Sequence, residues 1–261
     1  MTAQASTSVA STTLRFRDEF GDFVRFVLRP SFTPRLPPRE AESGWVQDWF
    51  PGVPLLGLLK WAVFLWAINL VLFGPIAVWV ATSSGATHKL DVYNMPWLQA
   101  LIWAPIVEEM VFRYGMRRPA YAWWLTPIAT AAMLLGPKWP GMLIMAAVLM
   151  MCWVPYLSGA KWVRRPTPWR WRLYYRRAFP LVFHLASILF AAVHLYNFKL
   201  HNTAWWLLPL LVLPQWLTGL VLGWQRCRRG IGASMLLHCM FNAGPLLVVW
   251  ILLQVASGAL N

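Results

Sequence analysis

Residues 55–81 read LLGLLKWAVFLWAINLVLFGPIAVWVA, and Lys60 is the single charged side chain in this run. A bilayer has a hydrocarbon core of roughly 30 Å, which about 20 helical residues can cross. The run is longer than that minimum and almost wholly apolar. It is therefore predicted to be a membrane-spanning helix from Leu55 to Ala81.

Six further stretches are long and apolar enough to cross a membrane. Hydrophobic residues make up 59% of the 261 residues, and the mean hydropathy is +0.50, which exceeds that of an ordinary soluble domain. The predicted fold class is all-α: a polytopic membrane helix bundle of about seven transmembrane helices with an amphipathic helix before them. The other predicted spans are Trp97–Met116, Ala120–Gly136, Gly141–Leu157, Phe179–Asn197, Ala204–Trp224 and Ala233–Val255.

The chain is predicted to have two parts. Residues 1–54 form a cytoplasmic N-terminal segment, and residues 55–261 form the transmembrane domain. Within the first part, Phe16, Phe20 and Phe23 recur at spacings of four and three, and Pro30 ends the pattern. This pattern predicts an amphipathic helix at the membrane interface; a helix that binds a partner or is merely solvated has the same pattern.

Basic residues are distributed unevenly between the two sides of the predicted spans. Of the 23 Lys and Arg residues, 20 fall on the side that carries the N-terminus, and the opposite loops hold only Lys89, Lys138 and Lys199. Cytoplasmic loops carry such an excess, so the N-terminus is predicted to be cytoplasmic and the C-terminus external.

The net charge is +14, but the protein is not expected to bind nucleic acid. A nucleic-acid site needs basic residues clustered on one face, and here membrane segments divide them between separate loops. The loop at 161–177 interleaves seven basic residues with Trp and Tyr, which favours anionic lipid headgroups as its partner.

Acidic residues are scarce in the membrane region. Six of the nine precede residue 50, Asp91 lies in an outer loop, and Glu108 and Glu109 are adjacent inside a predicted span. An ionisable group there costs several kcal/mol unless it is paired or solvated, so it indicates a functional site. An ion pair between Glu109 and Arg113, one helical turn apart, would account for one carboxylate and leave Glu108.

Three of the five histidines fall inside predicted spans. His238 has Asn242 one turn later and His194 has Phe190 one turn earlier, so each pair lies on one helix face. His184 has no such partner and is interpreted as structural. Counting along the spans places His238 close to the inner edge of the membrane but His194 near the outer end of its helix.

These residues form three short motifs in order along the chain: Glu108-Glu109-Met-Val-Phe-Arg113, Phe190-Ala-Ala-Val-His194 and His238-Cys-Met-Phe-Asn242. Together they resemble the EExxxR, FxxxH and HxxxN motifs of the CAAX-protease and bacteriocin-processing family of glutamate-type intramembrane proteases, over a core of about residues 97–242.

The resemblance implies peptide hydrolysis by a water that Glu108 activates and His194 holds. On the same resemblance, His238 and Asn242 donate to the oxyanion, while Glu109, Arg113 and Phe190 support the site.

The resemblance also implies a membrane-anchored protein or peptide as substrate and, for a chain this short, a prokaryotic inner (cell) membrane. No cofactor is expected, although Glu108, His194 and His238 could bind zinc. A serine mechanism using Ser234 and His238 would leave the glutamate pair without a use. The alternative from another class is a non-proteolytic protein with the same fold, either a scaffold or immunity protein or a proton-coupled carrier.

Overall fold

The computed structural model describes residues 14–32, 35–37, 44–157 and 168–258. These residues are mainly helical, and two short strands, β1 (Thr87–His88) and β2 (Phe198–Lys199), pair antiparallel. The all-α class is therefore confirmed. The helices are α1 (Phe16–Leu28), α2 (Trp45–Trp49), α3 (Leu55–Ser84), α4 (residues 99–117), α5 (Pro119–Leu135), α6 (Trp139–Leu157), α7 (Trp169–Val193), α8 (Leu208–Leu211), α9 (Leu213–Arg228) and α10 (Ile231–Gly258).

Fewer helices than seven qualify as membrane spans by length and composition. Three do so alone, namely Leu55–Ser84, Trp169–Asn197 and Ile231–Val255, and a fourth qualifies if a bent pair counts as one span. The chain is thus a membrane protein with three or four such helices among its described residues. Seven spans, and the orientation of the two termini, stay predictions.

The predicted second span, Trp97–Met116, corresponds to α4, which is helical without interruption from residue 99 to 117. It fails as a simple span because Glu108, Glu109 and Arg113 all fall within it. Glu109 and Arg113 are fully buried, so these charges face protein and not lipid. A charged membrane helix is tolerated when its polar side chains face the bundle interior.

The predicted sixth span, Ala204–Trp224, is not one straight helix. A 3-10 turn at Trp205–Leu207 and α8 precede a break at Val212, and α9 then leaves at an angle of 53° to the first part. Pro214 lies just after the break, and its missing N–H removes one helical hydrogen bond at that point.

Helix α9 is the central helix of the bundle. Its residues 218–228 are all buried, and it packs against α7, α10 and α1. Gly219 and Gly223, a small-residue pair in the sequence, face α7: a methyl group at Gly219 would lie 3.1 Å from the Phe190 ring and 3.5 Å from Arg113 Nη2. The two glycines therefore let α7 approach α9 closely. The side chains of Phe190 of α7 and Arg113 of α4 are buried next to Gly219.

The N-terminal helix α1 packs against this core. Phe23 and Phe26 are buried, and the Phe23 ring lies edge-on to both Trp61 of α3 and Trp224 of α9. The aromatic face that the sequence assigned to lipid therefore contacts the bundle in large part. A position of α1 at the membrane interface, and the division at residue 54, stay predictions.

Gly219→Ala is expected to lower the thermal midpoint of the purified, detergent-solubilised protein. Forcing a methyl group into a packed contact typically costs about 1–3 kcal/mol. The matched control is Gly57→Ala in α3, where an added methyl group has no neighbour within 4 Å. The control should be neutral or slightly stabilising, since alanine favours a helix. Equal shifts for the two variants would contradict this role of Gly219.

Candidate active site

The backbone of α4 is irregular on both sides of the glutamate pair. A π-helical turn at Gln99–Trp103 precedes the α-helical residues Ala104–Glu109, and a second π-helical turn follows at Met110–Tyr114. Single π-helical turns within helices are frequent at functional sites. The glutamates are thus held in a short α-helical stretch between two turns of wider radius.

Pro105 leaves one carbonyl of α4 without its helical donor. In the first π-helical turn the N–H of Ala104 donates to the carbonyl of Gln99, five residues back. The next bond in this pattern would join Pro105 to Ala100, but proline has no N–H. The Asn242 side-chain amide of α10 instead donates to the Ala100 carbonyl at 2.8 Å.

Glu109 uses both carboxylate oxygens in buried contacts. Oε1 accepts from Arg113 Nη1 at 2.9 Å and lies 3.1 Å from His238 Nδ1, while Oε2 accepts from the Ser234 hydroxyl. The carboxylate is fully buried. The i,i+4 ion pair with Arg113 that the sequence offered for Glu109 is therefore present, and it leaves Glu108 outside that pair.

Phe190 connects the second motif to the first. Its ring lies 3.7 Å from the Arg113 guanidinium carbon and 5.7 Å from the centre of the His238 ring. Its carbonyl accepts a 2.7 Å hydrogen bond from His194 Nδ1. One residue thus covers the buried cation with its face and orients an imidazole with its backbone.

Glu108 faces the two imidazoles. Its Oε2 lies 4.0 Å from His194 Nε2 and 3.7 Å from His238 Nε2, and this oxygen is buried with no hydrogen-bond partner among the described residues. Both separations exceed a direct hydrogen bond and suit a bridging water molecule. Glu108, His194 and His238 therefore converge on one point.

The other ring nitrogens indicate how each imidazole is protonated. A carbonyl and a carboxylate only accept hydrogen bonds, so His194 donates from Nδ1 to Phe190 and His238 donates from Nδ1 to Glu109. A neutral imidazole with a proton on Nδ1 presents a lone pair on Nε2. Both Nε2 atoms, like Glu108 Oε2, are then acceptors facing the same point.

Two residues lie apart from this convergence. Asn242 is not joined to Glu108, His194 or His238 by a hydrogen bond within the described chain, and its amide donates to Ala100. His184 packs its ring against Phe183 at 5.1 Å between centres. The structure thus brings together three of the four residues proposed as catalytic.

The depth difference between His194 and His238 has a structural explanation. His194 does lie at the far end of α7, where a 3-10 turn leads directly into β2. The corner between α9 and α10, however, is not at the protein surface, because Arg226, Arg228 and Arg229 are buried beneath the N-terminal segment. Counting from that corner as if it were the surface therefore underestimates how far His238 lies inside the protein; its depth in the membrane stays a prediction.

Sequence reasoning missed one residue of the site and two of its supports. Ser234, considered only as a nucleophile, places its hydroxyl within hydrogen-bond distance of Glu109 Oε2 and the Leu222 carbonyl, which share its single proton. Its spacing of one helical turn from His238 suggested the serine alternative, and that spacing does not show that the hydroxyl reaches Glu109. Arg226 and Asp48, which reach the end of α4, carry no local signal because 178 residues separate them.

No group of three His, Cys, Asp or Glu side chains that could hold a metal ion occurs within residues 14–32, 35–37, 44–157 and 168–258. Tetrahedral zinc ligands lie about 3.3 Å from one another, given metal–ligand bonds of 2.0–2.1 Å. The separations of 3.7 and 4.0 Å at Glu108 are somewhat longer. The expectation of a site without a cofactor stays a prediction, and zinc binding by Glu108, His194 and His238 stays its alternative.

The fold and the site define a helical membrane protein with a buried carboxylate and two imidazoles around one point. A family model described as type II CAAX prenyl endopeptidase Rce1-like matches residues 92–244. The chain belongs to this family, which is a family of proteases. No curated protein and no solved structure matches the chain.

Arg113→Lys is expected to destabilise the protein. Lysine keeps the charge but cannot both bond Glu109 and lie flat over the Phe190 ring, and a poorly satisfied buried group costs about 1–3 kcal/mol. The thermal midpoint in detergent measures the effect. The matched control is Arg172→Lys at an exposed position of α7, which should leave the midpoint unchanged. A midpoint for Arg113→Lys equal to that of the control would show that the guanidinium shape does not matter.

Proposed function

We propose that the protein is an intramembrane endopeptidase that hydrolyses a peptide bond of a membrane-anchored protein or peptide. The observation that carries this proposal is the position of Glu108 Oε2, buried without a hydrogen-bond partner and facing two imidazole nitrogens. Membership of a protease family supports the reaction class. The proposal includes the roles of Glu108, His194, His238 and Asn242.

Glu108 acts as the general base. It takes a proton from a water molecule held by His194 Nε2, and the water oxygen forms a bond to the scissile carbonyl carbon. The carbonyl electron pair moves onto its oxygen, giving a tetrahedral oxyanion. When this intermediate collapses, the C–N bond breaks and Glu108 returns the proton to the leaving nitrogen. No cofactor is needed for this sequence.

His238 supplies the oxyanion donor if it carries a second proton. Its Nδ1–H is already donated to Glu109, so an Nε2–H for the oxyanion needs that second proton.

Asn242 contributes to the same step in a more restricted way. One of its two amide N–H groups is used by the Ala100 carbonyl. The second N–H remains for the oxyanion proposed from the motif. The bond to Ala100 also ties α10 to the first π-helical turn of α4, so Asn242 acts on the position of α4 as well.

The bilayer is the second partner. The first turns of α7 expose Trp169, Trp171, Arg170 and Arg172, a combination that suits anionic headgroups. This surface supports contact with an anionic membrane; a prokaryotic cell membrane with the N-terminus in the cytoplasm is the proposed location. The substrate would meet the site from the same membrane.

Glu108→Gln is expected to abolish processing while the protein still inserts and folds. Glutamine keeps the size and hydrogen-bonding capacity of the side chain but cannot accept the proton, and loss of general-base catalysis costs about 100- to 10,000-fold in rate. Proteomics of membrane fractions with and without the substitution should reveal an uncut precursor. Identical membrane proteomes would favour the scaffold, immunity protein or carrier alternatives.

The histidines provide the matched controls. His194→Ala and His238→Ala should leave the same precursor uncut, because both rings face Glu108. His184→Ala removes a ring that contacts Phe183 and should retain most processing. An equal loss for His184→Ala would contradict the assignment of roles.

Strong chelators are expected to have little effect on the purified, detergent-solubilised enzyme, because the proposed base is a carboxylate and not a metal-bound hydroxide. Cleavage of the precursor identified above is measured with and without chelator. Full inhibition that added zinc reverses would make Glu108, His194 and His238 metal ligands. If chelator abolishes cleavage and added zinc does not restore it, the chelator treatment has damaged the protein.

A further inference from the structure

Three ion pairs attach the N-terminal segment to the end of α9. Glu19 pairs with Arg229, Asp22 pairs with Arg228 at 2.8 Å, and Asp48 pairs with Arg226 at 2.7 Å. The three arginines are buried. The acidic residues all precede the first membrane helix, and they lie outside the residues that match the family.

Arg226 differs from the other two arginines because it reaches the site helix. Its Nε donates to the Arg113 carbonyl at 3.1 Å and its Nη2 donates to the Tyr114 carbonyl at 3.2 Å. Both carbonyls lie near the end of α4, which stops at residue 117. Tyr114 is one of the last four residues of the helix, whose carbonyls have no α-helical partner, so a cation there stabilises the helix end.

Arg226 depends on Asp48 to occupy this position. Arg226 is fully buried, and Asp48, itself 3% exposed, binds its Nη1. Asp48 also lies 3.7 Å from Arg118 Nε, just beyond the end of α4. A buried guanidinium that loses its carboxylate is strongly disfavoured, so it would rotate toward other acceptors or toward water.

The end of α4 is close to the groups that orient the site. Arg113, whose carbonyl receives Arg226, extends its side chain to Glu109 and Phe190. Glu109 contacts His238, and Phe190 orients His194. A shift of the second π-helical turn would therefore displace both imidazoles relative to Glu108.

We propose that Asp48 is a positioning residue of the active site: through Arg226 it holds the second π-helical turn of α4, and so sets the geometry of Glu108, His194 and His238. The effect of Asp48 on turnover rests on the proposed function. The effect of Asp48 on the position of α4 is independent of that function.

Asp22 offers a matched control within the same segment. Like Asp48, it is an aspartate bound to a buried arginine of α9, and it also accepts from Trp224 Nε1 at 2.8 Å. Arg228, however, donates to Asp22 and to the Ser31 carbonyl, and between the described residues no hydrogen bond from it to α4 occurs. Asp22→Asn and Asp48→Asn should both lower the thermal midpoint, but only Asp48→Asn should act on the site.

Amide hydrogen exchange of the purified protein tests the structural part. Asp48→Asn should speed exchange at residues 110–118 by about tenfold or more relative to the wild type, whereas Asp22→Asn should act mainly on α1. Asp48→Glu keeps the carboxylate and should restore most of the protection. Indistinguishable exchange patterns for Asp48→Asn and Asp22→Asn would overturn the proposal.

Initial rates in mixed micelles, on the precursor that accumulates with Glu108→Gln, test the part that concerns turnover. Asp48→Asn should lower kcat by roughly ten- to a hundredfold with little change in KM, because a misplacement of about 1 Å can cost that much. Asp22→Asn should keep the wild-type kcat below its midpoint temperature. Equal kcat values for the two variants would overturn the positioning role.

Failure of the proposed function would appear differently, as equal cleavage by wild type and Glu108→Gln. The exchange comparison would still decide the position of α4.

Discussion

The Glu109 carboxylate is the contact on which the arrangement of the site depends. It binds Arg113 from its own helix and His238 and Ser234 from α10, all out of contact with water. Arg113 in turn lies beneath the Phe190 ring of α7, in space that Gly219 of α9 leaves open. Removing one partner of such a cluster would leave a buried charge unpaired, so the cluster holds these four helices in one relative position.

The sequence alone indicated the main features of this cluster. A carboxylate pair in an apolar region is costly, and the i,i+4 spacing of Glu109 and Arg113 assigned one glutamate to an ion pair. The periodic spacing of Phe190 with His194, and of His238 with Asn242, placed each pair on one helix face. These are local rules, so they work without knowledge of how the helices pack. The all-α class followed equally directly from the apolar runs.

Other features depend on contacts between distant parts of the chain, and local patterns do not contain them. The count of seven spans treated α4 as an ordinary apolar helix, although its charges face the protein. Arg226, Arg228 and Arg229 counted as basic residues of an inner loop, but they are buried in pairs with Glu19, Asp22 and Asp48. The hydrogen bond from Asn242 to Ala100 arises because Pro105 lacks an N–H, and sequence spacing shows neither partner.

The distribution of arginines supports the proposal that Glu108, rather than its neighbour, accepts the proton. In the described part of the chain, Glu19, Asp22, Asp48 and Glu109 each bind an arginine directly. An arginine keeps its charge, and the carboxylate oxygens that it binds are already occupied. Glu108 instead faces the Nε2 atoms of His238 and His194 at 3.7 and 4.0 Å, and its Oε2 has no hydrogen-bond partner among the described residues. A general base needs a lone pair that no permanent cation already occupies, and this contrast in partners supports the role proposed for Glu108.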